Sequence, residues 1–310
     1  MNLYFIAGIV LLVIFIIVHT LIYKNTDIFS FKNLRNSQKI PKHIWMYWEN
    51  KSENISRPAY LDLCEDTIRK NIEKDFKVHM LNEKSIYKYL PELDKEKRKM
   101  LDELRIPQKA DYFRLALLKK YGGMWLDADI IVFSDLNRYF EHLKKFDFVG
   151  FGCHSQKCLL NPRGYPRPAN WALISRKDGI LVTECLKECD KILRGHNIDF
   201  HRPKNYHIFG RELLWKCISS LLDTTDWDYY HVSSTCLDRD SYSNKITNKR
   251  AMSNESLESS CDYTFIPVYN TAPGFPEWFL NLSKEDILKM ENVFMSKMFR
   301  RALSKTSKMN

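Results

Sequence analysis

Residues 110–129 read ADYFRLALLKKYGGMWLDAD, and the reading of this stretch decides the fold. Phe113, Leu115, Ala116, Leu117 and Leu118 crowd the segment from Asp111 to Tyr121. Apolar residues on most sides predict a short helix buried in the core. Gly122 and Gly123 follow, supplying the left-handed or strained conformations that a helix end needs. Met124, Trp125 and Leu126 then form a short apolar run of strand type. It breaks at Asp127-Ala128-Asp129, and apolar residues resume at Ile130, Ile131, Val132 and Phe133.

Two carboxylates at the end of a buried strand need a reason. An unpaired carboxylate taken out of water costs several kcal/mol or more, so each requires a cation or strong donors. In open α/β sheets, ligands bind beyond the carboxyl ends of strands. An Asp-x-Asp there offers oxygen ligands to a hard divalent ion, Mn2+ or Mg2+, which shares its remaining positions with a diphosphate. Such an ion offsets the charge that builds on a departing nucleoside diphosphate, as in sugar transfer from a nucleotide sugar. An isolated Asp-x-Asp is also a common turn or helix cap, so the neighbours matter. Asp111 and Arg114 are three apart, on one face of the preceding helix. The helix, the double glycine and the strand bring that face towards Asp127 and Asp129, where an acid and a base can hydrogen-bond sugar hydroxyls. A structural helix salt bridge is the plainer reading of the same pair.

The order D-Y-x-R, Y-G-G and D-x-D resembles glycosyltransferase family 32. The opening IPKHIWMYWEN at residues 40–50, together with ADYFRLALLKKYGG, is most similar to the capsular-polysaccharide-synthesis branch. The resemblance is strong over residues 40–136 and thins beyond them. Many relatives in that branch read W-I-D-A-T where this chain has W-L-D-A-D, and the second Asp favours metal use. The resemblance implies an A-type glycosyltransferase fold, Rossmann-like, with a mostly parallel central sheet flanked by helices. It implies a base-stacking Trp at the end of the first strand, which falls on Trp48, and an Asn near the donor sugar, carried to Asn170. It also implies retention of anomeric configuration.

At 310 residues, 45% apolar and 13% aromatic, the chain is long enough for one large folded domain with additions. Residues 3–23 are almost uninterruptedly apolar and carry no Lys, Arg, Asp or Glu. That is about the 20 residues needed to cross a bilayer, and longer than a signal-peptide core. The expected organisation is therefore a transmembrane signal-anchor at 1–24, a polar stem at 25–39, a catalytic domain at 40–283, and a basic amphipathic helix and tail at 284–310. Lys24, Lys32, Arg35, Lys39 and Lys42 follow the span, which places the domain on the cytoplasmic face. Golgi members of the resembling family sit in the lumen, so the two indications oppose each other.

Working outward, a strand is expected over 40–48 with Pro41 at its entrance, a helix over 59–71, a strand over 76–81, and helices over 85–90 and 92–104. The order β-α-β-α-α-α-β suits a largely parallel sheet. After the central motif come a helix over 135–144, a strand over 146–151, a Pro-containing loop over 153–168 suited to an acceptor, and a strand over 170–174. A helix over 179–193 follows. Gly210-Arg211 then resembles the family's G-P-x-x-L helix start, with Arg where Pro is usual. A polar connection covers 238–262 and a late strand 264–269. His207, His231 and Asn270 are candidates for a further metal ligand, although each has an ordinary structural reading.

The net charge of +10 lies in the stem and in Lys297, Arg300, Arg301, Lys305 and Lys308. These residues suit membrane lipid headgroups or a plain basic tail. No aromatic-interleaved basic patch points to nucleic acid. None of the 8 cysteines has zinc-type spacing. Cys153 with Cys158, or a lumenal disulfide set, competes with buried free thiols. In the reading as a whole, Asp129 ligates the metal directly. Asp127 binds the ribose and the metal, directly or through water. Asp111, Arg114 and Asn170 hold the sugar, and Trp48 the base. The donor is UDP- or GDP-linked, and the acceptor a glycan, glycolipid or polysaccharide. Two other classes remain open: a metal-dependent nucleotidyltransferase and a non-catalytic, membrane-tethered sugar-binding protein.

Overall fold

The computed structural model describes residues 40–50, 56–152, 164, 167–195, 198–232, 247–257, 275–304 and the backbone of 265–267. The expected span at 3–23, the stem, most of the loop at 153–168, and Asn270 lie outside the described residues. Among those that are described, no helix is long and apolar enough to cross a membrane.

The first half follows the expected order: β1 (His43–Tyr47), α1 (Ala59–Asn71), β2 (Lys77–Leu81), α2 (Ile86–Tyr89), α3 (Lys95–Asp102), α4 (Ile106–Tyr121) and β3 (Gly123–Leu126). Next come β4 (Ile130–Val132), α5 (Asn137–Phe140), β5 (Phe148–Phe151), β6 (Ala169–Ser175), α6 (Ile180–Arg194), α7 (Arg211–Thr224) and β7 (Tyr230–Val232). The chain continues through α8 (Asn248–Ala251), β8 (Phe265–Pro267), α9 (Glu277–Leu280), α10 (Lys284–Lys289) and α11 (Phe294–Leu303).

Six strands form the main sheet in the order β2-β1-β3-β6-β5-β7, and β4 pairs with β8 separately. β1 is parallel to β2 and β3, and β5 is parallel to β7; β6 alone runs against its neighbours β3 and β5. The sheet is thus mostly parallel. From β1 the chain crosses to β2 on one side and then to β3 on the other. The order therefore reverses around β1, which opens a crevice beyond the carboxyl ends of β1 and β3. Because β6 is antiparallel, its amino end, with Asn170, lies at that same edge.

Side-chain alternation sets two cores against the sheet. Trp45, Tyr47, Trp125 and Leu173 face α4, α6 and α7 and join Phe113, Leu117, Cys185 and Leu214. Ile44, Met46, Met124, Leu126 and Ile174 fill the opposite face. With both faces covered, the central strands read as continuous apolar runs.

Helix α4 begins five residues before Asp111. Pro107 lies in its first turn, where a missing N–H costs nothing, and Gln108 Oε1 accepts from the Arg105 amide at 3.1 Å. At the other end Gly122 and Gly123 take φ of 68° and 99°. A Cβ on Gly123 would lie 2.5 Å from the His43 carbonyl oxygen, so β3 starts pressed against β1.

One long amphipathic helix was expected at the carboxyl terminus, and two form. Ser283 caps α10, accepting from the Asp286 amide at 3.1 Å, as expected. The chain then breaks over 290–293, and Arg300 donates to the Leu288 and Met290 carbonyls at 2.8 and 2.7 Å. The break lets Ile287, Phe294, Met298 and Phe299 all join a third core with Leu61, Cys64 and Ile131. Lys297 is also engaged, with Asn254 and Glu255 carbonyls. Both cations are thus engaged within the fold.

Two consequences can be measured. Gly123→Ala puts a Cβ on a left-handed residue against β1, and it lowers unfolding free energy by about 1–3 kcal/mol in urea titration. The second concerns His43 Nδ1 and His79 Nε2, which hydrogen-bond at 3.0 Å beside Trp45. Burial, helped by the His43 charge, lowers the His79 pKa to about 4. The unfolded chain then binds more protons, so this contribution is present at neutral pH and is lost as pH falls from about 6.5 towards 4. His79→Phe flattens that part of the stability profile in melts taken across the window.

Candidate functional site

Arg114 is the centre of the site. It is buried on α4 and reaches two acids at once: Nη1 donates to Asp111 Oδ1, and Nη2 donates to Asp127 Oδ1 at 2.8 Å. Asp111 and Arg114 occupy adjacent turns of one helix face, so their pairing is local. Asp127 arrives because the double glycine folds β3 back along α4. Trp125, on β3, donates from Nε1 to the same Asp127 oxygen at 3.0 Å, and the Arg114 guanidinium lies 5.0 Å from its ring centroid. From β6, Asn170 Nδ2 donates to Asp111 Oδ1 at 2.9 Å. Four residues named from sequence, Asp111, Arg114, Asp127 and Asn170, therefore form one hydrogen-bonded network drawn from a helix and the edge of the sheet.

The electrostatics are uneven. Asp127 keeps a quarter-exposed side chain, 24%, whereas Asp111 and Arg114 are 8% and 5% exposed. Burial pushes the Asp111 pKa up to about 6; Arg114 opposes this and the Asp127 charge adds to it. Gly210, at the start of α7, closes the network from above: a Cβ there would come within 2.4 Å of Asp111 Oδ2. Only glycine permits that approach. A narrow void opens over Asp111, Arg114, Asn170, Phe209 and Gly210.

Asp129 is buried in the turn between β3 and β4. Its charge adds to burial in raising the Cys64 pKa, which places it towards α1. Trp48 stands at the carboxyl end of β1, half-buried, with Nε1 donating to Asn50 Oδ1 at 2.8 Å. It also packs on the third core, while Trp45 and Tyr47 are core residues as expected. His231 sits on β7 opposite Gly150. His207 lies three residues before Gly210, and burial together with Arg211 lowers its pKa.

Asp127 and Asp129 supply hard oxygen donors, and the partial exposure of Asp127 leaves room for a shared ligand. That donor set fits Mn2+ or Mg2+. Among the described residues, no three acidic, His or Cys side chains converge as a metal group.

Sequence reasoning missed Glu49 and Lys109. Lys109 Nζ donates to Glu49 Oε1 at 2.6 Å, and Tyr47 donates to Glu49 Oε2 at 2.6 Å, which pins the carboxyl end of β1 to α4. Their positions directly after Trp48 and directly before Ala110 were the available signal. It missed Gly210 as the cover of Asp111. The four described cysteines, Cys64, Cys185, Cys189 and Cys217, are buried and free, which agrees with the thiol reading.

The profile of the family described as "Capsular polysaccharide synthesis protein" matches residues 13–207. The chain belongs to that family. It is the branch that the motif order and the opening of β1 resemble. No curated protein matches significantly. Among solved structures, PaToxG glycosyltransferase aligns with a TM-score of 0.43 at 16% identity, over 66% of this chain and 81% of that one. GlyE, a glycosyltransferase of Streptococcus pneumoniae TIGR4, aligns with a TM-score of 0.34 at 13% identity, over 63% of this chain and 45% of that one. The capsular family member thus spans less than half the length of GlyE, and likenesses this distant carry no further argument.

The raised Asp111 pKa has a signed consequence. The folded state binds the proton more tightly than the unfolded chain, so ionisation costs stability as pH climbs from about 4 to about 6. Asp111→Asn removes that cost. Across this window wild type loses on the order of 3 kcal/mol relative to the variant, and the difference is level above it. Chemical denaturation of both proteins over the pH series measures it, with the histidine contribution cancelling.

Proposed function

We propose that the chain is a glycosyltransferase that moves a sugar from a nucleotide-sugar donor, UDP- or GDP-linked, to a glycan, glycolipid or polysaccharide acceptor. The observation that carries this reading is the closed network Asp111–Arg114–Asp127–Asn170 at the carboxyl edge of β3, beside the point where strand order reverses. Family membership supports sugar-polymer synthesis in general. The network supports a grip on a polyhydroxylated, charged ligand at that edge.

The residues divide the work. Asp111, held by Arg114 and Asn170, presents a fixed carboxylate to sugar hydroxyls, and its orientation is set before the ligand arrives. Asp127 is anchored through one oxygen to Arg114 and Trp125, which aims its carboxylate beyond the strand. Asp127 and Asp129 would hold a divalent ion, which when bound offsets charge on the donor diphosphate. Trp48 offers an aromatic face at the end of β1 for the nucleotide base. The leaving diphosphate takes the acceptor proton, so no side chain is assigned as a dedicated base, and the configuration at the transferred carbon is retained.

The test is a donor screen on the full-length chain with Mn2+ or with EDTA. Release of nucleoside diphosphate from one UDP- or GDP-sugar, dependent on the metal, is expected. Release of pyrophosphate instead identifies nucleotidyl transfer. Asp127→Asn and Asp129→Asn each lower turnover by at least about 100-fold while the melting curve is kept. Turnover that survives both substitutions removes the metal from the reaction.

A further inference from the structure

One cluster beside the network has no part in the mechanism above. Arg167 and Arg211 both lie against the ring of Trp215, with guanidinium carbons 5.3 and 5.0 Å from its centroid. All three side chains are half-buried. Trp215 is held in place by a 2.7 Å hydrogen bond from Nε1 to the Pro168 carbonyl. Like charges gathered on one ring repel each other. Arg211 makes no ion pair or hydrogen bond with any described residue, and its Nε is buried without an acceptor. Glu212, the neighbouring acid, is exposed and makes no ion pair with it among the described residues. A half-buried guanidinium left in this state is an unmet demand for an anion.

The position gives the demand a meaning. Arg211 follows Gly210, the residue pressed on Asp111. Arg167 precedes Asn170 by three residues, at the end of the loop that leads into β6. The 14-residue helix α7 also begins at Arg211, adding the positive end of its dipole. The cluster thus adjoins the Asp111–Asn170 side of the network, away from Trp48 and the end of β1.

We propose that Arg167, Arg211 and Trp215 form a subsite for an anionic group of the acceptor, a carboxylate or a phosphate. The inference rests on the donor reading given above, because it takes Asp111 and Asn170 as the grip on the donor sugar. Trp215 gives a sugar ring an apolar face, and the Arg211 guanidinium, with the positive charge of Arg167 beside it, holds its charged substituent. A neutral acceptor leaves Arg211 unpaired and is disfavoured for that reason.

The experiment uses the full-length chain in EDTA, which suppresses any metal-bound phosphate. Saturation-transfer NMR is recorded with methyl glucuronoside, its neutral twin methyl glucoside, and glucose 1-phosphate. At least one charged probe is expected to bind about ten-fold more tightly than the glucoside. Arg211→Ala and Arg167→Ala each remove most of that preference, and Arg211→Lys keeps part of it. In a separate assay with Mn2+ restored, nucleoside diphosphate release from the donor stays within about two-fold of wild type in all three variants. Preference for the glucuronoside assigns a uronate-type acceptor; preference for the phosphate assigns a phosphorylated one. Equal binding of charged and neutral probes, or unchanged binding in Arg211→Ala, overturns the subsite. Charged-probe binding that depends on Arg211, without donor turnover in any protein, counts against the donor reading and not against anion recognition.

Discussion

A single buried guanidinium holds this site together. Arg114 sits between Asp111 and Asp127, and each carboxylate has given it one oxygen. Leaving two carboxylates at a buried edge without their cation costs on the order of 3–5 kcal/mol. Arginine suits the place because its planar fork serves two acids in different directions, which the point charge of lysine does not. With both acids ionised the three residues still carry a net charge of minus one, and Asp129 adds a second negative charge nearby. Burial, with the Asp127 charge added to it, raises the Asp111 pKa although Arg114 touches it. A site built this way favours either a proton or a metal ion. Two of its acids lie in the turn that leaves β3, where an ion can reach a ligand.

That arrangement depends in turn on backbone placed where side chains would not fit. Gly123 lets β3 start against β1, which sets how far Asp127 stands from α4. Gly210 lets α7 begin on top of Asp111. The first fixes the floor of the network and the second its cover. Between them the Lys109–Glu49 pair ties the end of β1 to the helix that carries Arg114. The crevice at the strand-order reversal is therefore bounded on three sides by contacts that tolerate little displacement.

Much of this was legible in the chain, for identifiable reasons. Helix α1 was read with its observed bounds because Leu61, Cys64 and Ile68 recur at helical spacing. The central motif was legible because α4 and β3 are adjacent in sequence, so three residues of the network come from one local hairpin of helix and strand. Asn170 required the resemblance, since nothing local ties it to Asp111. The start of α4 lies before Asp111, where the reading began it, because a first-turn proline such as Pro107 is compatible with a helix. The carboxyl-terminal break was hidden because 290–293 contain neither Gly nor Pro. It is made by Arg300, a residue downstream, satisfying the carbonyls that the break exposes. Glu49 and Lys109 were passed over because a charged pair distant in sequence leaves no periodic trace.

The sequence also separates charges at close range along α7. Gly210 touches an acid, and Arg211, one residue later, carries a base unpaired among the described residues. Across that single peptide the electrostatic preference changes from cations, on the Asp111 side, to anions, beside Trp215. A transfer enzyme whose donor and acceptor both carry negative charge faces a repulsion problem when the two are brought together. Acids under a donor, where an ion can be held, and the Arg211 guanidinium under an acceptor would let both approach one reacting carbon without facing each other's charge. The glycine is what keeps the two fields this close: any side chain at 210 would push α7 off Asp111 and carry Arg211 away with it.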